Sequence, residues 1–143
     1  FSGPIASEMV EIVALDKDPA LADLAVVNLL KIDAEGHEIG VLKGAKKLIA
    51  KHRPNIFVEP GSLENVDALR DLMKAQGYRG YWFVGQRYGP GDDFVPAPGS
   101  SHHDINLVFL PEGSPAPDLP PLESGQDLVK GIPILVGYGP VLA

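Results

Sequence analysis

Residues 29–45 read LLKIDAEGHEIGVLKGA and join an apolar run to a segment with helical periodicity. The apolar run belongs to residues 26–32 (VVNLLKI), which are typical of a strand buried on both faces. From Glu38 onward the apolar residues recur at helical spacing, with lysines on the other side. Between the two elements, six positions hold four charged or imidazole side chains: Asp33, Glu35, His37 and Glu38. The stretch therefore predicts a strand, a charged turn and a helix.

Outside this stretch the chain continues to alternate between strand-like and helix-like segments. Further strands are predicted at residues 9–15 (MVEIVAL), 55–58 (NIFV), 81–84 (YWFV) and 105–110 (INLVFL). Ser62 is a good cap for a helix that ends at Gly77. Strands separated by helices pair in parallel, but no helix separates the last two. We therefore predict an α/β fold whose sheet is mostly parallel, with one antiparallel strand near the edge.

Composition excludes several classes of function. The chain has 143 residues and a net charge of −7, which disfavours binding to nucleic-acid phosphates. It contains no cysteine, so disulfides and thiolate chemistry are excluded. Neither a signal peptide nor a membrane-spanning run is present in the sequence. These observations predict a cytoplasmic protein without membrane or nucleic-acid partners.

The carboxyl ends of the predicted parallel strands are where a functional site is expected. In open α/β sheets, ligands bind outside these ends. Asp33 and Glu59 each end a strand, and a strand spacing of about 4.8 Å would bring their carboxylates together. A reversed last strand would start at the same end and add His102, His103 and Asp104. We therefore predict a site in which Glu59, His103 and Asp104 bind the substrate.

Catalytic roles at this site are predicted for Asp33, Glu35 and His37. Asp33 and Glu59 together could hold Mg²⁺, which would lower the pKa of a bound hydroxyl. Alternatively, His37 or His103 could act as a general base, because histidine titrates near neutral pH. Other interpretations stay open. Asp33 and Glu59 could cap helix starts or turns, and Glu35 could be a solvated turn residue. His37 could stack on its own helix, and the pair His102–His103 could belong to a solvated loop.

The motifs KIDAEGHE (residues 31–38), VLKGA (41–45) and PNIFVE (54–59) occur here in order. Together they resemble the FkbM-type S-adenosylmethionine-dependent methyltransferases, over about residues 10–110. The resemblance implies a Rossmann-like methyltransferase fold, S-adenosylmethionine as cofactor and O-methylation of small-molecule or sugar hydroxyls. It also implies that the reversed final strand lies between its two preceding neighbours in the sheet.

One departure from the family pattern concerns the cofactor side. Such enzymes hold the cofactor with a glycine-rich loop after the first strand and an acidic residue after the second, and neither is found here. The chain is therefore predicted to be the C-terminal half of such a domain (residues 1–110), inactive alone, with a Pro/Gly-rich extension (111–143). The missing N-terminal half, or another chain, would cover its exposed sheet edge. The alternative is a non-catalytic fragment that acts as a scaffold or association module.

Overall fold

A computed structural model describes residues 8–86 and 103–127. The helices and strands follow the order α1 (Pro19–Ala22), β1 (Leu29–Asp33), α2 (Glu38–Gly44), α3 (Lys46–His52), β2 (Asn55–Glu59), α4 (Val66–Lys74), β3 (Tyr78–Gln86) and β4 (His103–Pro111). Short 3-10 turns lie at Leu15–Lys17 and Leu63–Asn65. The predicted strand–helix alternation around β1, α2 and β2 is confirmed. The segment predicted as a substrate lid or a disordered loop, residues 85–101, lies mostly outside the described residues.

The four strands form one mixed sheet in the order β1-β2-β4-β3. β4 is reversed and lies between β2 and β3, as the family resemblance implied. The α/β class is confirmed, but a mostly parallel sheet is not. In the described residues only β1 and β2 pair in parallel, because the reversed strand sits inside the sheet and makes two antiparallel pairings.

Residues 9–15 do not form the predicted strand. Residues 8–14 have no regular secondary structure, and the side chains of Met9 and Ile12 are 97% and 94% exposed. A β-branched run becomes a strand only when its backbone groups pair with a neighbour. Within the described residues this segment has no such partner strand.

The core lies between one face of the sheet and helices α2, α3 and α4. It includes residues from both, all fully buried or nearly so: Ile32, Leu42, Ile49, Ile56, Val58, Leu69, Met73, Trp82, Leu107 and Phe109. The register places Asp33 and Glu59 on the opposite face, because side chains alternate along a strand. The helices therefore build a rigid support and leave the carboxylates on the face that they do not cover.

The helix predicted from Glu38 is broken at Ala45 into α2 and α3. Ala45 has φ −109° and ψ 11°, outside the helical range. The side chain of Asp16 accepts hydrogen bonds from the backbone N–H groups of Lys47 (2.8 Å) and Leu48 (2.9 Å). Because Asp16 satisfies these donors from a distant part of the chain, α3 can begin anew without the preceding helical turn.

Asp16→Ala is expected to lower the free energy of unfolding by about 0.5–2 kcal/mol, the usual effect of losing a helix cap. Chemical denaturation of the variant would measure the loss. Asp23→Ala is the matched control, since Asp23 is exposed and its removal is expected to change stability by about 0.5 kcal/mol at most. Equal losses in the two variants would contradict a capping role for Asp16.

The edge of β3 is covered by the residues that follow β4. The Trp82 N–H donates to the Pro120 carbonyl (2.8 Å) and the Leu122 N–H to the Gly80 carbonyl (2.9 Å). Buried Asp127 accepts from the Trp82 indole N–H (3.2 Å), which fixes this segment to the core. The Pro-rich residues after β4 therefore form a strap over the surface, and β1 is left as the uncovered edge of the described sheet.

The connection from α3 to β2 is locked against the start of β3. Arg53 ends α3 with a left-handed backbone (φ 50°) and donates to the carbonyls of Gln76 and Gly77, each at 2.6 Å. Its guanidinium lies 4.4 Å from the centre of the Tyr78 ring. Burial raises the pKa of the Tyr78 hydroxyl, while the charge of Arg53 opposes that shift. Gly77 has φ +74°, as its predicted role after a helix end requires.

Candidate functional site

The candidate site lies where β1 and β2 end side by side, and we call it the rim (residues 33–38 and 59–61). Asp33 and Glu59 are direct partners in the parallel register. Paired residues of neighbouring strands lie on the same sheet face, about 4.8 Å apart along the hydrogen-bonding direction. The Asp33 side chain is 44% exposed and forms an ion pair with Lys31 at 3.2 Å, and Glu59 is half-buried. The predicted juxtaposition of the two carboxylates on neighbouring strands is therefore present in the structure.

A tight turn follows Asp33. The His37 N–H donates to the Ala34 carbonyl (3.0 Å), and the two central residues have positive φ: Glu35 at 45° and Gly36 at 96°. Two positive φ values in succession define a type I′ turn. Glycine adopts this backbone readily, whereas a glutamate there is strained. The strain points to a constraint at the rim, because such residues persist only where the surroundings impose them.

The two turns of the rim touch each other. A Cβ atom added to Gly61, just after β2, would lie 2.3 Å from the Gly36 nitrogen and 2.8 Å from its Cα. Both contacts are with backbone, so no side-chain movement could relieve them. Glycine at position 61 is therefore needed for the turn after β1 to pack directly on the loop after β2.

Glu38 is a rim residue to which the sequence analysis gave no site role. Its side chain is fully buried, and its Oε1 accepts a 2.7 Å hydrogen bond from the Gly36 N–H. Its Oε2 is buried and has no hydrogen-bond partner among residues 8–86 and 103–127. An acidic residue in the first turn of a helix is normally exposed, so nothing in the sequence pattern distinguished this one.

The side chains of Glu35 and His37 are both exposed at the rim. His37 precedes α2 but makes no side-chain capping bond. Together with Ala34, Gly40 and Val41 it lines a largely apolar groove of about 560 Å³ that reaches back to residues 12–15. The imidazole therefore has solvent on one side and an apolar surface on the other.

The start of β4 lies at the same end of the sheet, as predicted. The last β2–β4 pair is Val58 with Leu107, so residues 103–106 extend past the paired part of β2 and continue along β3. Strand alternation places Asp104 on the sheet face of Glu59 and Asp33. His103 pairs with Gln86 at this extension. His102 lies outside the described residues.

Metal ligands are sparse at the rim. Across residues 8–86 and 103–127, no three side chains of the metal-binding types come close enough to hold an ion. Asp33 and Glu59 would supply only two protein ligands, although Mg²⁺ commonly keeps several waters and needs only one or two carboxylates. The arrangement itself places two carboxylates, each a hydrogen-bond acceptor, side by side on one face of the sheet.

Comparison with known protein families identifies the chain. The model of the methyltransferase FkbM domain matches residues 4–79, just over half of the 143 residues. No curated protein and no solved structure gives a significant match. In the part of the chain that the structure describes, no helix is long and apolar enough to cross a membrane.

The extent of the match corrects one expectation. The resemblance extends over about residues 10–110 and predicts the C-terminal half of the domain. The match instead begins at residue 4 and ends within β3, leaving β4 and the strap outside it. The placement as a C-terminal half is therefore wrong, while the family assignment holds. The matched segment contains α1 to α4, β1, β2 and all of the rim, and the chain belongs to the FkbM methyltransferase family.

Proposed function

We propose that this protein takes part in methyl transfer from S-adenosylmethionine to a hydroxyl group of a small molecule or sugar, and that the rim binds the acceptor. The observation that carries the proposal is the direct pairing of Asp33 with Glu59 at the carboxyl ends of β1 and β2, inside the family match. This end of an α/β sheet is the usual place for ligands. A neutral hydroxyl is the acceptor that two carboxylates can both orient and deprotonate.

The rim carboxylates would align the acceptor and take up its proton. A carboxylate oxygen of Asp33 would accept the hydroxyl hydrogen, and Glu59, on the neighbouring strand, would accept a hydrogen bond from a second hydroxyl of the acceptor. S-adenosylmethionine, when bound, supplies a methyl group already activated by its sulfonium. With the cofactor bound, the Asp33 carboxylate would take up the hydroxyl proton as the acceptor oxygen gains the methyl group, and it would end the step as a neutral carboxylic acid. Alignment accounts for most of the acceleration in such a displacement.

Glu35 and His37 would act at the border of this site. Both are exposed, and His37 lines the apolar groove. Imidazole is the side chain that exchanges protons most readily near neutral pH, so His37 can pass the acceptor proton to water. Asp104, on the same sheet face as Glu59, and His103 beside it would contact the distal part of the acceptor. Mg²⁺ bound by Asp33 and Glu59 is a second way to lower the hydroxyl pKa.

The described residues lack the loop with which such enzymes usually hold the cofactor. No strand in them is followed by a glycine-rich loop, and the gap between the two rim turns is closed by the Gly36–Gly61 contact. We infer that the cofactor is held mainly by residues outside the described part, from this polypeptide or from another chain. The rim then contributes the acceptor side of the reaction.

The isolated 143-residue chain is accordingly expected to bind S-adenosylmethionine weakly or not at all. Isothermal titration calorimetry with S-adenosylmethionine, and separately with S-adenosylhomocysteine, would measure the affinity. Low-micromolar binding to the monomeric chain would contradict the inference that most of the cofactor site lies elsewhere.

Transfer of a labelled methyl group tests the proposed reaction. The intact protein is incubated with methyl-labelled S-adenosylmethionine and a panel of sugars and small alcohols, and label is counted in the products. We expect label on hydroxyl oxygen of at least one acceptor, with loss of transfer in Asp33→Asn. Label that appears only on nitrogen or carbon acceptors, or transfer that does not depend on Asp33, would contradict the proposal.

A second candidate function is association through the edge of β1. Within the described sheet β1 pairs only with β2, and Leu29, its first residue, and Val26, three residues earlier, are 62% and 61% exposed. An uncovered, apolar edge is a template for an added strand. Val26→Lys would place a charge there. Analytical ultracentrifugation should show that this variant weakens a wild-type complex, whereas a wild type that stays monomeric at all concentrations would exclude self-association.

A further inference from the structure

We propose that Glu38 is a positioning residue of the rim: it holds the turn of residues 34–37 closed and so fixes the relative placement of the carboxylates on β1 and β2. The inference rests on the proposed acceptor site but concerns a residue that does not touch the acceptor. It follows from three observations at neighbouring residues: the buried Glu38 carboxylate, the left-handed Glu35 and the close approach of Gly61 to Gly36.

The first argument concerns energetic cost. A fully buried carboxylate with one oxygen unpartnered is expensive, because that oxygen has lost its hydration without a replacement. Glu35, three residues earlier, adds the cost of a left-handed backbone. Two such costs within four residues oppose folding, and a sequence selected only for stability would avoid both. Concentrated violations of local rules are typical of functional sites.

The second argument concerns what the hydrogen bond achieves. The Gly36 N–H lies at the centre of the turn, and Glu38 Oε1 accepts it at 2.7 Å. The same nitrogen is the atom against which Gly61 packs. Glu38 therefore holds, from the helix side, the peptide group on which the loop after β2 rests. If this bond is lost, the turn can open, and the spacing between the Asp33 side and the Glu59 side of the rim is no longer fixed.

A role in stabilising the start of α2 does not explain this geometry. A glutamate in the first helical turn interacts favourably with the helix dipole while exposed to water, and burial is not required. α2 is also only seven residues long, and its N-cap residue His37 makes no side-chain cap. The length of the side chain therefore distinguishes closing the turn from stabilising the helix start. The hydrogen bond requires a side chain long enough to contact the Gly36 N–H, whereas the interaction with the helix dipole requires only a negative charge.

Two substitutions separate the effect of side-chain length at position 38 from the effect of its charge. Glu38→Gln keeps the length and the acceptor oxygen but removes the charge, whereas Glu38→Asp keeps the charge and shortens the side chain by one methylene. Amide hydrogen exchange at Gly36, followed by NMR in the full chain, reports the hydrogen bond without requiring an acceptor substrate. Glu64→Gln, an exposed acid after the neighbouring strand, is the control.

We expect Glu38→Asp to speed Gly36 exchange by about fivefold or more relative to amides that exchange through global unfolding, the effect of one lost hydrogen bond. Glu38→Gln should stay within about twofold of wild type. Equal protection in the two variants, or better protection with Asp, would overturn the proposal. If Glu38→Asp does not fold, Gly61→Ala replaces it as the test variant. The added Cβ must displace Gly36 while the Glu38 side chain is unchanged, so exchange of the Gly36 N–H should become faster. Unaltered exchange of this N–H would overturn the proposal.

Methyl transfer by the intact protein provides an independent readout. Glu38→Asp should lower kcat about tenfold or more without changing KM for S-adenosylmethionine, since misplacement of a positioning group commonly costs that much. Glu38→Gln should retain most of kcat. If the protein transfers no methyl group, the proposed function fails, but the exchange result still decides whether Glu38 closes the turn. If methyl transfer occurs but kcat does not change when the Gly36 amide loses its protection from exchange, the role of Glu38 is structural only.

Discussion

Asp33→Asn and Glu59→Gln, introduced singly into the intact protein, are expected to lower methyl transfer by about 10²–10⁴-fold, the usual contribution of a positioned acid–base group. Both side chains lie at the end of a strand, on the face that the helices leave uncovered, and neither is part of the core. The ion pair between Lys31 and Asp33 is exposed and contributes little to stability. Thermal unfolding should therefore change little in either variant.

A matched control for this prediction is Asp71→Asn. Asp71 is an exposed carboxylate, bonded to Arg70 at 2.8 Å, on a helix that carries no rim residue. Its loss should leave turnover unchanged and have a similarly small effect on unfolding. Rim variants that unfold early yet keep their activity per folded molecule would show that Asp33 and Glu59 are structural.

Leu42→Ala is expected to lower the free energy of unfolding by about 2–5 kcal/mol. Leu42 is fully buried on α2, in the core that supports the rim. Truncation removes buried apolar surface and leaves a cavity that the neighbouring strand residues cannot fill. The matched substitution Leu63→Ala acts on a side chain that is 45% exposed and should cost about 1 kcal/mol.

Chemical denaturation of these two leucine variants measures the difference directly. Turnover per folded molecule should stay near the wild-type value in both, because neither leucine is a rim residue. A loss of equal size in the two variants would contradict the assignment of α2 to the core. A loss of turnover in folded Leu42→Ala would show that core packing also sets the geometry of the rim.

Periodicity and turn residues were sufficient to predict the elements that carry the rim. The apolar run before Asp33 and the run NIFV before Glu59 became β1 and β2. The expectation that the first of these strands is buried on both faces is wrong: Leu29 and Lys31 are exposed, because the helices cover only one face of the sheet. Ser62 caps the 3-10 turn before α4 by accepting from the Glu64 N–H, and Gly77 adopts positive φ after it. The pairing of Asp33 with Glu59 followed from the ends of these strands alone.

The parts that could not be predicted depend on partners distant in sequence. Residues 9–15 have strand-like composition, but no neighbour in the described sheet pairs with them. The break at Ala45 depends on Asp16, which caps α3 but lies too far from it in sequence to be recognised as its cap from local pattern. The buried state of Glu38 depends on a turn that folds back over it and on a glycine after the next strand. None of these contacts leaves a periodic trace in the sequence.

The central claim, that the rim is the acceptor site of a methyltransferase, is tested most directly by a crystal structure of the intact protein with bound S-adenosylhomocysteine. The claim predicts that the thioether sulfur faces the carboxyl ends of β1 and β2, and that a hydroxyl held by Asp33 and Glu59 would lie about 3–3.5 Å from the position of the transferred methyl group. A sulfur atom at the opposite end of the sheet, or one separated from both carboxylates by the helices, would contradict it.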